Sequence, residues 1–438
     1  RPLTLPCGLT VPNRIAKAAM TERLAGVNGR ANEHHARLFR RFAQGGAGLL
    51  ITGNVVVDSR YLEAPGNVFI EDAQGLESLS AWAAAGKAGG GLMIMQINHA
   101  GRQTPASVSD TSVAPSAVRL NMRNFFSTPR AMTGLEIEEV IGRFAFAASV
   151  AQRAGFDGVE VHAAHGYLLS QFLSPRVNQR SDEWGGSIEN RARILLRIVR
   201  AIRAGVEPGF AVGVKLNVAD FIKGGLEFDD ALRVVDLLSH CGVDFIEVSG
   251  GTHERAVSFG FEERSANQAE AHFKDYATAV RKRTRVPVIL TGGIRSRRVM
   301  EQVLSNGLCD LVGLARPLTV EPDLPLRLLN GTSESAQSFS LKLPPPPRAN
   351  LVELLWSREQ LIRIANDRPP KLTASPRFSL LRMIWEDRVF KRRRAKHVRT
   401  TGPEWAPEAF VALARSLTAG SDSLGRPAHR ESSPNASR

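Results

Sequence analysis

The sequence predicts an α/β chain built as a (β/α)8 TIM barrel, with a C-terminal helical extension and a disordered tail. Three observations carry that expectation. Short apolar runs suited to buried parallel strands alternate eight times with helix-period segments over roughly the first 330 residues. Several helical segments close on a glycine just beyond them, Gly155, Gly205, Gly242 and Gly307, the residue that tolerates a left-handed helix end. The longest connections follow the third, fourth and sixth strands, and in a barrel all of these open on one rim, the face where function sits.

Taken in order, the strands are expected at 14–21, 48–57, 92–98, 158–162, 212–217, 245–249, 287–291 and 311–315, each short and apolar. Helical periodicity falls between them, at 136–154, 188–204, 228–240, 266–283 and 297–306. The long loops are 100–134, 163–187 and 250–265. After the eighth unit the composition changes. A proline run at 343–347 cannot continue a helix, while 351–364 and 378–389 show apolar spacing suited to amphipathic helices packed on the barrel. From about Thr400 the chain is rich in Ser, Pro, Gly and Arg, with little to bury. The division expected is therefore a barrel over 1–335, a helical extension over 336–399 and a disordered basic tail over 400–438.

Composition narrows the class. An apolar fraction of 43% is ample for a packed core, and no run of eighteen apolar residues offers a membrane span. Cys7, Cys241 and Cys309 lie far apart with no CxxC pair, so no zinc or iron–sulfur site is expected and the protein reads as reduced and cytoplasmic. The first residue is Arg1, and no charged-then-apolar leader precedes the first strand, which reads as a processed chain or one a few residues short. A net charge of +14 would suggest nucleic acid or a membrane, but 19 Lys and Arg against 9 Asp and Glu fall from Leu341 onward, leaving +4 on the first 340 residues. The basic cluster at 391–394 has no interleaved aromatics for base stacking, so neither partner is expected. The glycine runs at 45–48 and 89–91 lack both the dinucleotide and the P-loop spacing and read as turns.

The chemistry concentrates after the fourth strand, where His162, His165 and Tyr167 follow an alternating run led by Phe156, Val159 and Val161. Two histidines three apart are compatible with a metal, with structural hydrogen bonding or with catalysis, and HxxH alone does not choose. Downstream, Asp182, Gly185, Gly186, Glu189, Asn190 and Arg191 precede a helical segment and are expected to fasten a long loop to it.

The run HAAHGYLLSQFLSP followed by NQRSDEWGGSIENR resembles the old yellow enzyme family of FMN-dependent oxidoreductases, and the resemblance extends from about Leu3 to the region of Leu329. It implies FMN as cofactor, NADH or NADPH as reductant, and ping-pong reduction of a C=C bond conjugated to a carbonyl. It implies that His162 and His165 hydrogen-bond the substrate oxygen, stabilising charge that develops as hydride arrives, and that Tyr167 protonates the α-carbon. A tyrosine packed in its loop with a bonded hydroxyl is the alternative.

The same resemblance places Ala18, Ala19, Met20 and Thr21, at the end of the first strand, along the flavin. Gly53 would leave room for its ring, and Gln96 can both donate and accept along the pyrimidine edge. Lys215 stands where the family usually has Arg, keeping the charge without the fork. The phosphate is expected after the seventh and eighth strands, at Gly292 and Gly293 and at Ala315 and Arg316, where many members have Gly at the Ala315 position. The small-molecule partner is expected to be an enone-type substrate, and a homo-oligomer is left open. Two other readings stay open: a flavoprotein of this barrel acting in dehydrogenation or demethylation, and a flavin-binding protein without turnover.

Overall fold

The structure, a computed structural model, describes residues 1–122, 125–252, 254, 270–338, 341, 348–401 and 406–418. Eight parallel strands form a closed barrel: β1 Ile15–Lys17, β2 Leu49–Ile51, β3 Leu92–Asn98, β4 Gly158–Ala163, β5 Ala211–Asn217, β6 Phe245–Ser249, β7 Val288–Thr291 and β8 Leu311–Leu314. Each pairs with the next in sequence, and β8 closes on β1 with Val312 opposite Ile15. Every expected strand is present; the first ends at Lys17, and the second is interrupted after Ile51 and resumes at Val55–Val56, which also pairs with β3.

The helices α1 Glu33–Gln44, α2 Leu76–Lys87, α3 Gly134–Arg153, α4 Ile188–Gly205, α5 Phe228–Leu238, α6 Lys274–Arg283 and α7 Arg297–Ser305 follow their strands. Local sequence starts several of them. Thr133 and Glu136 satisfy each other's backbone N–H in a capping box at α3, and Ser187 and Ser296 cap α4 and α7. The sixth helix is shorter than expected: it begins at Lys274, 266–269 lie outside the described residues, and 270–273 form a turn. The sixth loop, 250–265, falls mostly outside them too.

Strand period decides what faces the barrel axis. Ala16, Leu49, Ile51, Ile94, Ala211, Phe245, Ile289 and Leu311 form one apolar layer, plugged from below by Leu5 and Val11 of a small N-terminal hairpin. Gly213 makes room for Phe245, since a Cβ there would stand 2.0 Å from the ring. Above this layer the inward residues turn polar, as described below. Val159, Val161, Val212 and Val214 face outward into the larger core under the helices.

The extension forms α8 Arg348–Ala365 and α9 Pro376–Thr401, as its periodicity suggested. One expectation is corrected. Within the stretch expected to be disordered, residues Pro407–Thr418 form a helix, α10, seated on α3 and α4; residues 402–405 and 419–438 lie outside the described ones. Phe410, Ala414 and Thr418 recur every four residues and are buried. Phe410 packs edge-on against Phe146 at 5.6 Å and under the Arg143 guanidinium at 4.4 Å. Gly142 lets the backbones meet, because a Cβ there would lie 1.9 Å from the Phe410 carbonyl oxygen. Among the described residues no helix is long and apolar enough to cross a membrane.

Candidate active site

Above the apolar plug, the inward residues of adjacent strands pair by register. Glu160 lies opposite Gln96, and Lys215 lies opposite both His162 and Glu247. Gln96 Nε2 donates to Glu160 Oε1 at 2.8 Å, and Lys215 Nζ donates to Glu247 Oε1 at 2.7 Å. Burial, followed by the negative charge of Glu247, pushes the Glu160 carboxyl well above the usual carboxylate range. Burial opposes ionisation of Glu247 as well, but Lys215, paired with it at 2.7 Å, holds Glu247 below that range.

One turn higher, β4 delivers the two histidines. Ala164 N–H donates to His162 Nδ1 at 3.2 Å, which leaves the proton of the neutral ring on Nε2. His165 adopts a left-handed backbone, φ 59°, followed by Gly166 at φ 78°. That conformation is costly for a histidine and is held from several sides. Asn217 Oδ1 accepts the His165 N–H at 3.1 Å, Gln103 Nε2 donates to its carbonyl at 2.8 Å, and Ser249 Oγ sits 2.7 Å from its Nε2. The rings of His165 and Tyr167 both stand nearly perpendicular to that of His162, at 5.1 and 4.9 Å between centroids. The three residues read from the sequence therefore converge. Among the described residues no group of three or more His, Cys, Asp or Glu could hold a metal ion.

Tyr167 is 5% exposed. Burial, then the charge of Glu63 and a hydrogen bond to it, raises its phenol well above the ordinary value, while Asn54 acts in the opposite sense. Thr21 Oγ1 donates to Glu63 Oε2 at 3.3 Å, Asn67 Nδ2 donates to the same oxygen at 3.1 Å, and Asn54 Nδ2 donates to Thr21 Oγ1 at 3.3 Å. Thr21 and Tyr167, from opposite sides of the barrel, thus share one carboxylate. Sequence reasoning missed Glu63 and Asn54, which are isolated polar residues in a connection with no motif.

Other predicted residues are placed less uniformly. Ala18 continues β1 by donating to Leu314 O at 2.9 Å, and Ala19 and Met20 follow it to the rim, partly buried. The reason given for Gly53 is corrected: a Cβ there would meet Glu22 Oε2 and Met20 O, each at 2.3 Å, and its N–H donates to Glu22 Oε1 at 2.8 Å. The room that it leaves is taken by the end of β1. At the far corner Gly292 and Gly293 have φ of 132° and 74°, and Ala315 begins a short turn, Arg316–Thr319. His272 abuts Gly293, where a Cβ would lie 2.3 Å from its Nε2. Burial, then the charges of Arg316 and Arg295, lowers the His272 pKa. Arg316 Nη1 is 3.3 Å from Glu353 Oε1 of α8, a pairing the sequence did not suggest.

The loop after β4 is tied mainly by Asn178 and Arg180, which the sequence reading did not single out, and by Arg191, which it did. Asn178 Nδ2 donates to Phe172 O and Trp184 O, both at 2.8 Å, and Arg180 reaches Met132 O at 2.6 Å across to the β3 loop. Arg191 fastens α4 to Leu173 O and to Asp230.

These residues suit a flat heteroaromatic group with a phosphate-bearing tail. Asn98, fully buried at the inward end of β3, has no hydrogen-bond partner for either amide atom among the described residues, which suits a ligand with its own donors and acceptors. The glycine pair with Arg316 and Arg295 offers backbone approach and charge to a phosphate.

Comparison with known proteins agrees. Residues 1–334 match the family model for the NADH:flavin oxidoreductase / NADH oxidase family. The chain is 42% identical over 353 residues to the NADH-dependent flavin oxidoreductase iliE of Neonectria sp. (strain DH2), covering 74% of this chain and 46% of that protein, so it spans about half of that relative's length. It is 39% identical over 349 residues to the iliE protein of Hypocrea jecorina (strain QM6a), covering 74% of this chain and 87% of that one. Among solved structures, the old yellow enzyme homologue from Zymomonas mobilis superposes with a TM-score of 0.66 at 26% identity, over 80% of this chain and 97% of that one.

Proposed function

Since the chain belongs to the NADH:flavin oxidoreductase / NADH oxidase family, we propose that it reduces activated C=C bonds, those conjugated to a carbonyl or similar group, at the expense of NADH or NADPH. FMN, when bound, would supply the hydride chemistry, taking hydride from the nicotinamide and passing it to the substrate β-carbon. His162, with its proton on Nε2, and His165, held by Asn217 and Ser249, would donate to the substrate oxygen as negative charge develops there. Tyr167 keeps its phenolic proton at working pH and would give it to the α-carbon. Glu63, bonded to Thr21 and Asn67, accepts a hydrogen bond from that phenol in the resting site and so would orient it. Thr21, Gln96, Asn98 and Lys215 would border the flavin ring; Gly292, Gly293, Ala315 and Arg316 would take its phosphate.

The observation that carries this reading is the meeting of His162, His165 and Tyr167 at 4.9–5.1 Å on the functional rim. Reductant and substrate would use the same rim in turn, so the kinetics should be ping-pong. The test is anaerobic stopped-flow on the FMN-loaded protein, first with each nicotinamide and then with a panel of enones. A protein that is colourless and takes up no FMN on reconstitution would sink the reading. One that is reduced by NADH but not reoxidised by any enone would remove the C=C assignment and leave the flavin one.

A further inference from the structure

The outer side of α9 has an arrangement that neither the barrel nor the proposed reaction uses. Its described side chains sort by helical spacing. Ser379, Met383 and Phe390 are buried, and Phe390 packs with Val56 and Leu62 of the rim. On the opposite side Phe378, Leu381, Ile384 and Trp385 are 60%, 66%, 40% and 65% exposed. They recur every three or four residues and so form one stripe, which Arg388, Lys391 and Arg392, also exposed, continue at the same spacing. From Phe378 to Arg392 the stripe is roughly 20 Å long, at 1.5 Å per residue.

Charge is sorted in the same way. The helix holds nine Lys and Arg against two acids, Glu386 and Asp387. Both acids turn toward the barrel: Glu386 accepts from Arg358 at 2.7 Å and from Arg382 at 2.9 Å, and Asp387 accepts from Arg23 at 2.5 Å. The outer stripe therefore carries cations only. Lys391 has one loose partner, Asp110 at 3.9 Å with both side chains exposed, and it donates to Ala106 O at 3.5 Å. Arg388 and Arg392 have no carboxylate partner among the described residues.

A contiguous run of large exposed apolar side chains is rare on a monomeric surface and marks a place of contact. Charge limits what can cover it. Residues 419–438 hold one large apolar residue, Leu424, and three Arg against two acids, a match for neither half of the stripe. A second copy would bring the same cations to the face, with no outward carboxylate on α9 to receive them. An anionic lipid surface meets both halves at once, the acyl boundary taking the four apolar side chains and the headgroups taking Arg388, Lys391 and Arg392. No membrane span is needed, because such a helix lies in the plane of the interface. The expectation against a membrane partner rests on the cluster 391–394 by itself; the apolar half of the stripe is visible only once the packed side of α9 is known.

We propose that α9 seats the protein on anionic membrane surfaces, its apolar half entering the acyl boundary and its cationic half lying on the headgroups. The test uses the whole 438-residue chain with FMN present. Co-sedimentation is measured with vesicles of phosphatidylcholine alone and with vesicles that also contain phosphatidylserine. The parent should partition onto the anionic vesicles, leave the neutral ones, and bind less as salt is raised. Leu381→Ser/Trp385→Ser and Arg388→Gln/Arg392→Gln should each weaken the partition roughly 10–30-fold while melting like the parent, because all four side chains are exposed. Lipid brominated in its acyl chains reads depth. It should quench the parent's tryptophan emission, and Trp385→Phe should keep the binding and lose most of the quenching. A parent that sediments with neither vesicle overturns the proposal, as do equal binding to both, binding that both double variants keep, or unchanged quenching in Trp385→Phe. A lipid-free dimer that Leu381→Ser/Trp385→Ser splits, without vesicle binding by the parent, overturns it in favour of a second copy. Neither measurement reads flavin chemistry, so the outcome is independent of the reductase reading.

Discussion

Replacing Tyr167 by Phe removes one hydroxyl and leaves the ring packed against His162 at 4.9 Å. The structural cost is small: Glu63 loses the phenol but keeps Thr21 at 3.3 Å and Asn67 at 3.1 Å, so stability should fall by about 1 kcal/mol, the net worth of one hydrogen bond. The kinetic cost should be larger and confined to one half-reaction. Reoxidation by an enone needs a proton at the α-carbon and should slow roughly 10²–10⁴-fold, or about 3–5 kcal/mol of barrier. Flavin reduction by NADH and reoxidation by oxygen or quinones require no such carbon protonation and should stay near parental rates. The pH profile adds a check of sign. A phenol whose pKa is raised above 10.0 is protonated throughout the range below that value, so the parent's enone reoxidation should show no alkaline decline from Tyr167 below about pH 10. Stopped-flow on both half-reactions, from pH 6 to 10, measures all of this. Enone reoxidation unchanged in Tyr167→Phe would refute the assignment of the acid and leave Tyr167 as a packed loop residue.

Arg316→Ala should weaken FMN retention roughly 10–100-fold, because a phosphate in that corner loses a charge-assisted partner; fluorescence of released FMN reads this, and unchanged affinity moves the phosphate site elsewhere. Lys215→Met leaves the Glu247 carboxylate buried without its cation and should cost about 3–5 kcal/mol in urea unfolding, whereas Lys215→Met with Glu247→Leu should recover most of it; equal losses would mean that the pair is not coupled. Deleting 402–438 should lower the melting temperature and expose apolar surface to a dye, with Phe410→Ala alone costing roughly 3 kcal/mol or more. Identical melts would show that α10 contributes nothing.

What could be read from the sequence follows from how locally each feature is encoded. The strands β3 to β8 are apolar runs of four to seven residues flanked by turns, and they emerge within a residue or so of expectation. The histidines and tyrosine lie within six residues of one another, so a single motif holds them. Glu63, Asn54 and Asn98 carry no such signal, because their importance comes from which strand ends meet across the barrel. Gly53 was legible as a position needing no side chain, but what fills the space, Glu22 and the Met20 carbonyl, depends on how β1 leaves the sheet. The helix Pro407–Thr418 was hidden by its setting among Ser, Pro and Arg residues. A clue lay elsewhere, in α3, whose residues from Ile137 to Ala151 are buried around most of the helix and so require cover on the outer side.

That cover arrives late during synthesis. Arg197, on α4, and Thr418, on α10, hydrogen-bond across 221 residues of chain. At roughly 5–20 residues per second, the ribosome needs on the order of ten to forty seconds to supply the second partner after the first. Through that interval the flank of α3 around Gly142 and Phe146 stands bare on an otherwise assembling barrel, open to chaperones or to the same flank on a neighbouring nascent chain. The yield of native protein in a cell should therefore respond to translation speed between Arg197 and Thr418, even where no codon change alters the protein.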